Sequence, residues 1–136
     1  MALDLVIMAA GKGTRMKSAR PKVLHQLAGR SLLQHVLDTA ARLAPDGLVV
    51  VTGHGADEVE AAVSGPGLRF VRQMPQHGTG HAVQQAVPAL HEQGTTLILN
   101  GDVPLIEAST AQALVEACSG ERLALLTVEL ADATGY

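Results

Sequence analysis

The sequence predicts an α/β protein built on a doubly wound, mainly parallel sheet. Short β-rich runs alternate with segments of helical period along the whole chain. The first run, Leu3 to Met8, is almost continuously apolar, as a strand covered on both faces must be. Turn residues such as Pro45-Asp46-Gly47 punctuate the alternation. The 136 residues are 47% hydrophobic, enough for a single domain with a real core. Phe70 and Tyr136 are the only aromatic residues, so the core is aliphatic and a base-stacking surface for single-stranded nucleic acid is not expected.

The elements follow in order. After the first strand comes a glycine-rich, basic loop. Ser31 and Gln34 then have capping-box spacing, ahead of Leu32, Leu33, Val36, Leu37, Ala40 and Leu43 at helical intervals. Leu48 to Thr52 is a second buried strand, and a short helix runs from about Ala56 to Val63. Ser64-Gly65-Pro66-Gly67 stops that helix, and Leu68 to Arg72 forms a third strand. Gly78 to Leu90 carries a helical stripe that Pro88 kinks or ends. Thr95 to Leu99 is a fourth strand. Ser109 and Gln112 repeat the capping-box spacing before Leu114, Val115 and Cys118. Leu123 to Leu130 reads as a fifth strand. With no helix after it to cover it, the fold is expected to be incomplete at the C-terminus.

Cys118 is the single cysteine, which excludes an internal disulfide and fits a structural thiol. No apolar run is long enough for a membrane helix and no basic leader precedes the first strand, so a cytoplasmic protein without membrane insertion is expected.

Net charge is −3, but six of the ten basic residues (Lys12, Arg15, Lys17, Arg20, Lys22 and Arg30) crowd into one stretch, and no acid occurs between Leu5 and Leu37. Cation concentrated beside glycines predicts an anion site. Met8-Ala9-Ala10-Gly11-Lys12-Gly13-Thr14-Arg15 follows the first strand, and its small residues let backbone N–H groups approach phosphate. It is not a P-loop, because the lysine lies between the glycines. It is not a dinucleotide fingerprint either: Met16 holds the third glycine position and Thr52-Gly53-His54-Gly55 lacks the ribose-binding acid.

Asn100-Gly101-Asp102 ends the fourth strand. Its carboxylate suits a magnesium ion whose other ligands are phosphate oxygens, and equally suits an Asp opening a turn. If the fourth strand lies beside the first, this Asp and the glycine-rich loop meet at the carboxyl ends of the strands, where such folds bind ligands. Gln73-Met74-Pro75-Gln76-His77-Gly78-Thr79-Gly80-His81 supplies an amide that can read a base edge and a helix start with free N–H groups. His77 and His81 have i, i+4 spacing, but Gly78 stands where a zinc H-E-x-x-H motif has Glu, so a zinc site is not expected. His25, His35, His54 and His91 are read as structural or surface residues.

Ala9 to Met16 followed by Pro21-Lys22-Val23-Leu24 resembles the signature of sugar nucleotidyltransferases of the GT-A-like, Rossmann-like class. Val51 to Gly55, His77 to Ala82, Gly101 to Leu105 and Thr134-Gly135-Tyr136 narrow the resemblance. Together they are similar to the N-terminal domain of the bifunctional N-acetylglucosamine-1-phosphate uridylyltransferases and glucosamine-1-phosphate N-acetyltransferases. The resemblance covers essentially the whole chain. It implies transfer of UMP from UTP to N-acetylglucosamine 1-phosphate, with Mg2+, in the supply of bacterial cell-wall precursors.

By the same resemblance, Met8, Ala9, Ala10 and Gly11 would line the nucleotide, and Arg15 and Lys22 would hold its phosphates and serve catalysis. Gln73, Gly78 and Thr79 would recognise uracil. Asn100, Gly101 and Asp102 would border ribose and phosphates, with Asp102 a magnesium ligand. Asn100 stands where the family often has Tyr. The family's remaining sugar and metal ligands, and an acetyltransferase domain through which it forms homotrimers, would lie beyond Tyr136. The residues themselves leave open a different base or acceptor, or a nucleotide-binding fragment without catalysis.

Overall fold

The computed structural model describes residues 1–11 and 18–135. Four parallel strands form the main sheet in the order β5-β4-β1-β6, where β1 is Ala2–Ala9, β4 Gly47–Thr52, β5 Leu68–Arg72 and β6 Gly94–Asn100. β1 pairs with β4 on one side (Ile7 beside Val50) and with β6 on the other (Met8 beside Asn100). The fourth main-sheet strand therefore adds next to the first, as the sequence reading required. Every residue of β4 is buried, because helices cover both faces of the sheet.

Helix α1 (Leu32–Arg42), helix α2 (Ala56–Ala62) and helix α4 (Ala108–Ala117) lie on one face. Leu33, Val36 and Leu37 of α1 pack there with Leu5, Ile7, Val50 and Leu99. Helix α3 (Thr79–Ala86) covers the other face, where Ala82 and Ala86 meet Val6, Val49 and Val51. Val87–Ala89 continues α3 as a 3-10 turn containing Pro88, which ends the helical stripe as its ring requires.

Ser31 caps α1 through its Oγ, which accepts from Gln34 N at 3.0 Å. The reciprocal half of the box is absent: Gln34 instead joins Ser64, donating to its carbonyl at 2.9 Å and accepting from its N–H at 3.1 Å. Helix α4 has Glu107 as its N-cap with no side-chain cap, so Ser109 sits inside the first turn rather than capping it. Cys118 is the C-cap of that helix, and its thiol donates to Arg122 O at 3.0 Å. A small antiparallel pair, β2 (Gln26–Leu27) and β3 (Arg30–Ser31), was not anticipated because two-residue strands carry no periodic signal.

Leu123 to Leu130 is not a strand. Leu123, Leu125 and Val128 are 85%, 74% and 77% exposed. Leu123 to Leu126 face the outer side of β6 across an apolar gap of about 480 Å³, without ladder bonds to it. Strand propensity is realised only when a partner strand lies within hydrogen-bonding distance, and here none does among the described residues.

Candidate active site

Parallel strands bring all their carboxyl ends to one side of the sheet, and a cleft of about 460 Å³ opens there. Met8, Ala9, Ala10 and Gly11 enter it from the end of β1. Asn100 and Asp102 enter from β6, and Gln73 from the end of β5. Gly78 and Thr79 contribute the start of α3. Gly78 caps that helix with no side-chain hydrogen bond, so the first-turn N–H groups are left without a capping side chain.

Lys22 completes the wall. It opens the 3-10 turn Lys22–Leu24, fixed by the buried Val23 and Leu24 and by Pro21 against Gly55, where a Cβ would stand 2.6 Å from the proline Cγ. Its ammonium pairs with the Asp102 carboxylate at 2.8 Å. Both side chains are a third or more exposed, so the pair is loosely held and open to competition by an anion or a cation.

Gly101 does not line the cleft but fixes its geometry. Its N–H donates to Met8 O at 2.9 Å, and a Cβ there would meet that oxygen at 3.0 Å and Leu33 Cδ1 at 3.2 Å. A side chain at this position would push the β1 and β6 ends apart. Arg15, with the rest of residues 12–17, lies outside the described residues, as does Tyr136.

The sequence reading placed Gln76 in the right segment without giving it a role. Its Nε2 donates to Ala10 O at 2.7 Å, and a Cβ on Gly53 would come within 2.6 Å of that nitrogen. Gln76 thus clamps the loop after β1 to the segment before α3. Two small residues at Ala10 and Gly53, facing a glutamine, were the only signal. His81 does not present itself as a metal ligand: Gln73 occupies its Nδ1 at 2.9 Å and Gln85 its Nε2 at 3.1 Å.

Asp102 is a hard, partly exposed oxygen donor, and no group of three or more His, Cys, Asp or Glu residues gathers among the described residues. That donor set fits a magnesium ion sharing one protein carboxylate and taking phosphate oxygens and water for the rest.

Comparison with known proteins gives a consistent result. A family model described as the MobA-like NTP transferase domain matches residues 5–132. The chain is 72% identical over 139 aligned residues to the bifunctional protein GlmU of Methylibium petroleiphilum, covering 98% of this chain and 30% of that protein. It is 66% identical to GlmU of Acidovorax sp. strain JS42, again over about a third of that protein's length (30%). Among solved structures, a nucleotidyl transferase from Methanothermobacter thermautotroptrophicus superposes with a TM-score of 0.72 at 28% identity, covering 85% of this chain and 57% of that one. A protein from Mycobacterium sp. strain JC1 gives 0.74 at 29% identity, over 87% of this chain and 60% of that one. Among the described residues, no helix is long and apolar enough to cross a membrane.

Proposed function

The chain belongs to the MobA-like NTP transferase family, and from that premise we propose that its cleft binds UTP and takes part in UMP transfer to N-acetylglucosamine 1-phosphate. The carrying observation is the convergence in one cleft of a cation (Lys22), a carboxylate (Asp102) and a buried amide (Gln73). High identity to GlmU proteins over 98% of the chain supports the choice of base and acceptor.

In the reaction, a phosphate oxygen of the sugar phosphate attacks the α-phosphorus of UTP. The bond from that phosphorus to the bridging oxygen breaks, and pyrophosphate departs with the electron pair. No protein nucleophile is needed. The residues act by alignment and by neutralising charge. Backbone groups from Met8 to Gly11 border the nucleotide, and the uncapped start of α3 presents donors to it. Lys22, released from Asp102 when a triphosphate offers a stronger partner, stabilises charge building on the leaving oxygens. Arg15 is assigned the same duty by the family resemblance. Asn100 and Gly101 shape the ribose side. A magnesium ion held through Asp102 would supply further neutralisation of the phosphates.

The test is titration of UTP, CTP and GTP in the presence of Mg2+, followed by pyrophosphate release with N-acetylglucosamine 1-phosphate. UTP is expected to bind most tightly. These residues span about 30% of the GlmU relatives' length, so turnover is measured for this chain and for one lengthened to that span, and is expected from the longer one. Equal affinity for the three nucleotides would remove the uridine assignment. Vigorous pyrophosphate release by these residues alone would show that they suffice for catalysis.

A further inference from the structure

Gln73 is a polar side chain with only 3% of its surface exposed, and its position is continuous with the β5 ladder through a bond from its N–H to Thr52 O at 2.8 Å. Its Nε2 lies 2.9 Å from Gly78 O and 2.9 Å from His81 Nδ1. A carbonyl oxygen can only accept, so the nitrogen end of the amide must face Gly78. With one amide proton directed there, the other meets His81 Nδ1, which must present its lone pair. His81 is therefore assigned the tautomer with its proton on Nε2. The structure sets Gln85 Nε2 3.1 Å from His81 Nε2; because a protonated ring nitrogen needs an acceptor, the Gln85 amide is assigned turned over, with its oxygen toward the ring.

Both protons of the Gln73 amide are thereby used. Among the described residues no donor meets its Oε1, and Gln73 lines the cleft. What the amide offers a ligand is an acceptor.

We propose, on the reading of Gln73 given above, that His81 is a positioning residue which fixes the polarity of the base-reading amide and so selects a pyrimidine with a ring N–H over one with a ring lone pair. Uracil carries N–H at its third ring position, and cytosine carries a lone pair there. An amide locked with oxygen outward accepts from the first and repels the second. Were the amide free to turn over, its nitrogen would suit cytosine equally well. The lock is a chain of three side chains, Gln73 to His81 to Gln85, with Gly78 O as its fixed end.

The test compares UTP and CTP affinity in the unmodified protein, His81→Leu, His81→Asn and Gln85→Met. His81→Leu is expected to shrink the preference for UTP about fivefold, the worth of one hydrogen bond. His81→Asn keeps an acceptor near the place of Nδ1 and should restore most of the preference. Gln85→Met frees the tautomer and should give a smaller loss in the same direction. Equal weakening of both nucleotides in His81→Leu, with no recovery in His81→Asn, would overturn the proposal. Should His81→Leu fail to fold, the other two variants carry the comparison. Nitrogen-15 NMR of the histidines in the nucleotide-free protein gives a separate readout. An unprotonated Nδ1 on His81 is the expected signature, and a protonated one overturns the proposal. Failure of the unmodified protein to bind UTP would count against the function proposed above, while the ring tautomer would still decide the role of His81.

Discussion

At the scale of single residues, the Lys22–Asp102 pair carries the sharpest consequence. Each charge of the pair neutralises the other at 2.8 Å, so neither stands as an unpaired ion. In the proposed reaction, Lys22→Ala removes the cation that would stabilise charge developing on the leaving pyrophosphate. Turnover in the chain lengthened to the relatives' span should fall by about two to three orders of magnitude, with a smaller loss of UTP affinity. Asp102→Asn should abolish the magnesium response, since an amide is a poor ligand for a hard cation. Steady-state kinetics over a range of magnesium concentrations measures both, and near-normal turnover in Lys22→Ala would take that residue out of the catalytic set. Asp102 was legible in the sequence because it closely follows the end of β6, and Lys22 because it belongs to the basic, acid-free stretch after β1. His81 was not, since i, i+4 histidines suggest a metal before they suggest an amide lock. Asp4 was also beyond reach. It lies buried in β1 at 2% exposure, accepting from His91 N at 2.7 Å and facing its Nδ1 at 2.8 Å, a contact across 87 residues that no local pattern encodes.

At the scale of elements, β5 is tied to α2 by a compact charge cluster. Arg72 Nη2 reaches Asp57 Oδ1 at 2.6 Å and Glu60 Oε2 at 2.8 Å, and Thr52 Oγ1 of β4 donates to Glu60 Oε1 at 2.9 Å. The hydrogen bond from Arg72, helped by that from Thr52, holds the Glu60 carboxyl below its usual value of 4.5. A carboxyl more acidic in the folded chain than in the unfolded one contributes stability above that usual value and loses it as pH falls through the lower, folded one. Thermal unfolding should therefore show a drop in melting temperature on the acid side of pH 4.5 that Arg72→Met makes shallower. An identical acid limb in the variant would show that the cluster adds nothing, as exposed pairs often do not. Strands β1 and β4 were readable because burial on both faces leaves an apolar run, and β5 and β6, which are partly exposed, because β-rich residues stand between turn signals. Leu123 to Leu130 has the same composition but not the same outcome, because pairing depends on a neighbour in space and not on the run itself. Ser109 likewise had the spacing of a cap, but the helix begins at Ala108, before it.

At the scale of the whole molecule, sequence and structure agree on the doubly wound plan and on where its cleft falls. The order β5-β4-β1-β6 leaves β6 at one border of the sheet, with Ile98 43% exposed and the apolar residues of 123–126 standing off from it. Its outward N–H and C=O groups meet no strand among the described residues, and such a border is a template for a strand from another molecule. The protein should accordingly be difficult to keep dispersed. Light scattering is expected to rise steeply with concentration, and Ile98→Lys to suppress that rise while leaving the circular dichroism unchanged, because a lysine at a sheet border opposes stacking of chains. Uniform small particles at every concentration would show the border to be protected. If scattering rises as expected, nucleotide titrations need dilute protein or the lysine variant, since oligomers joined through β6 would remove material without closing the cleft at the strand ends.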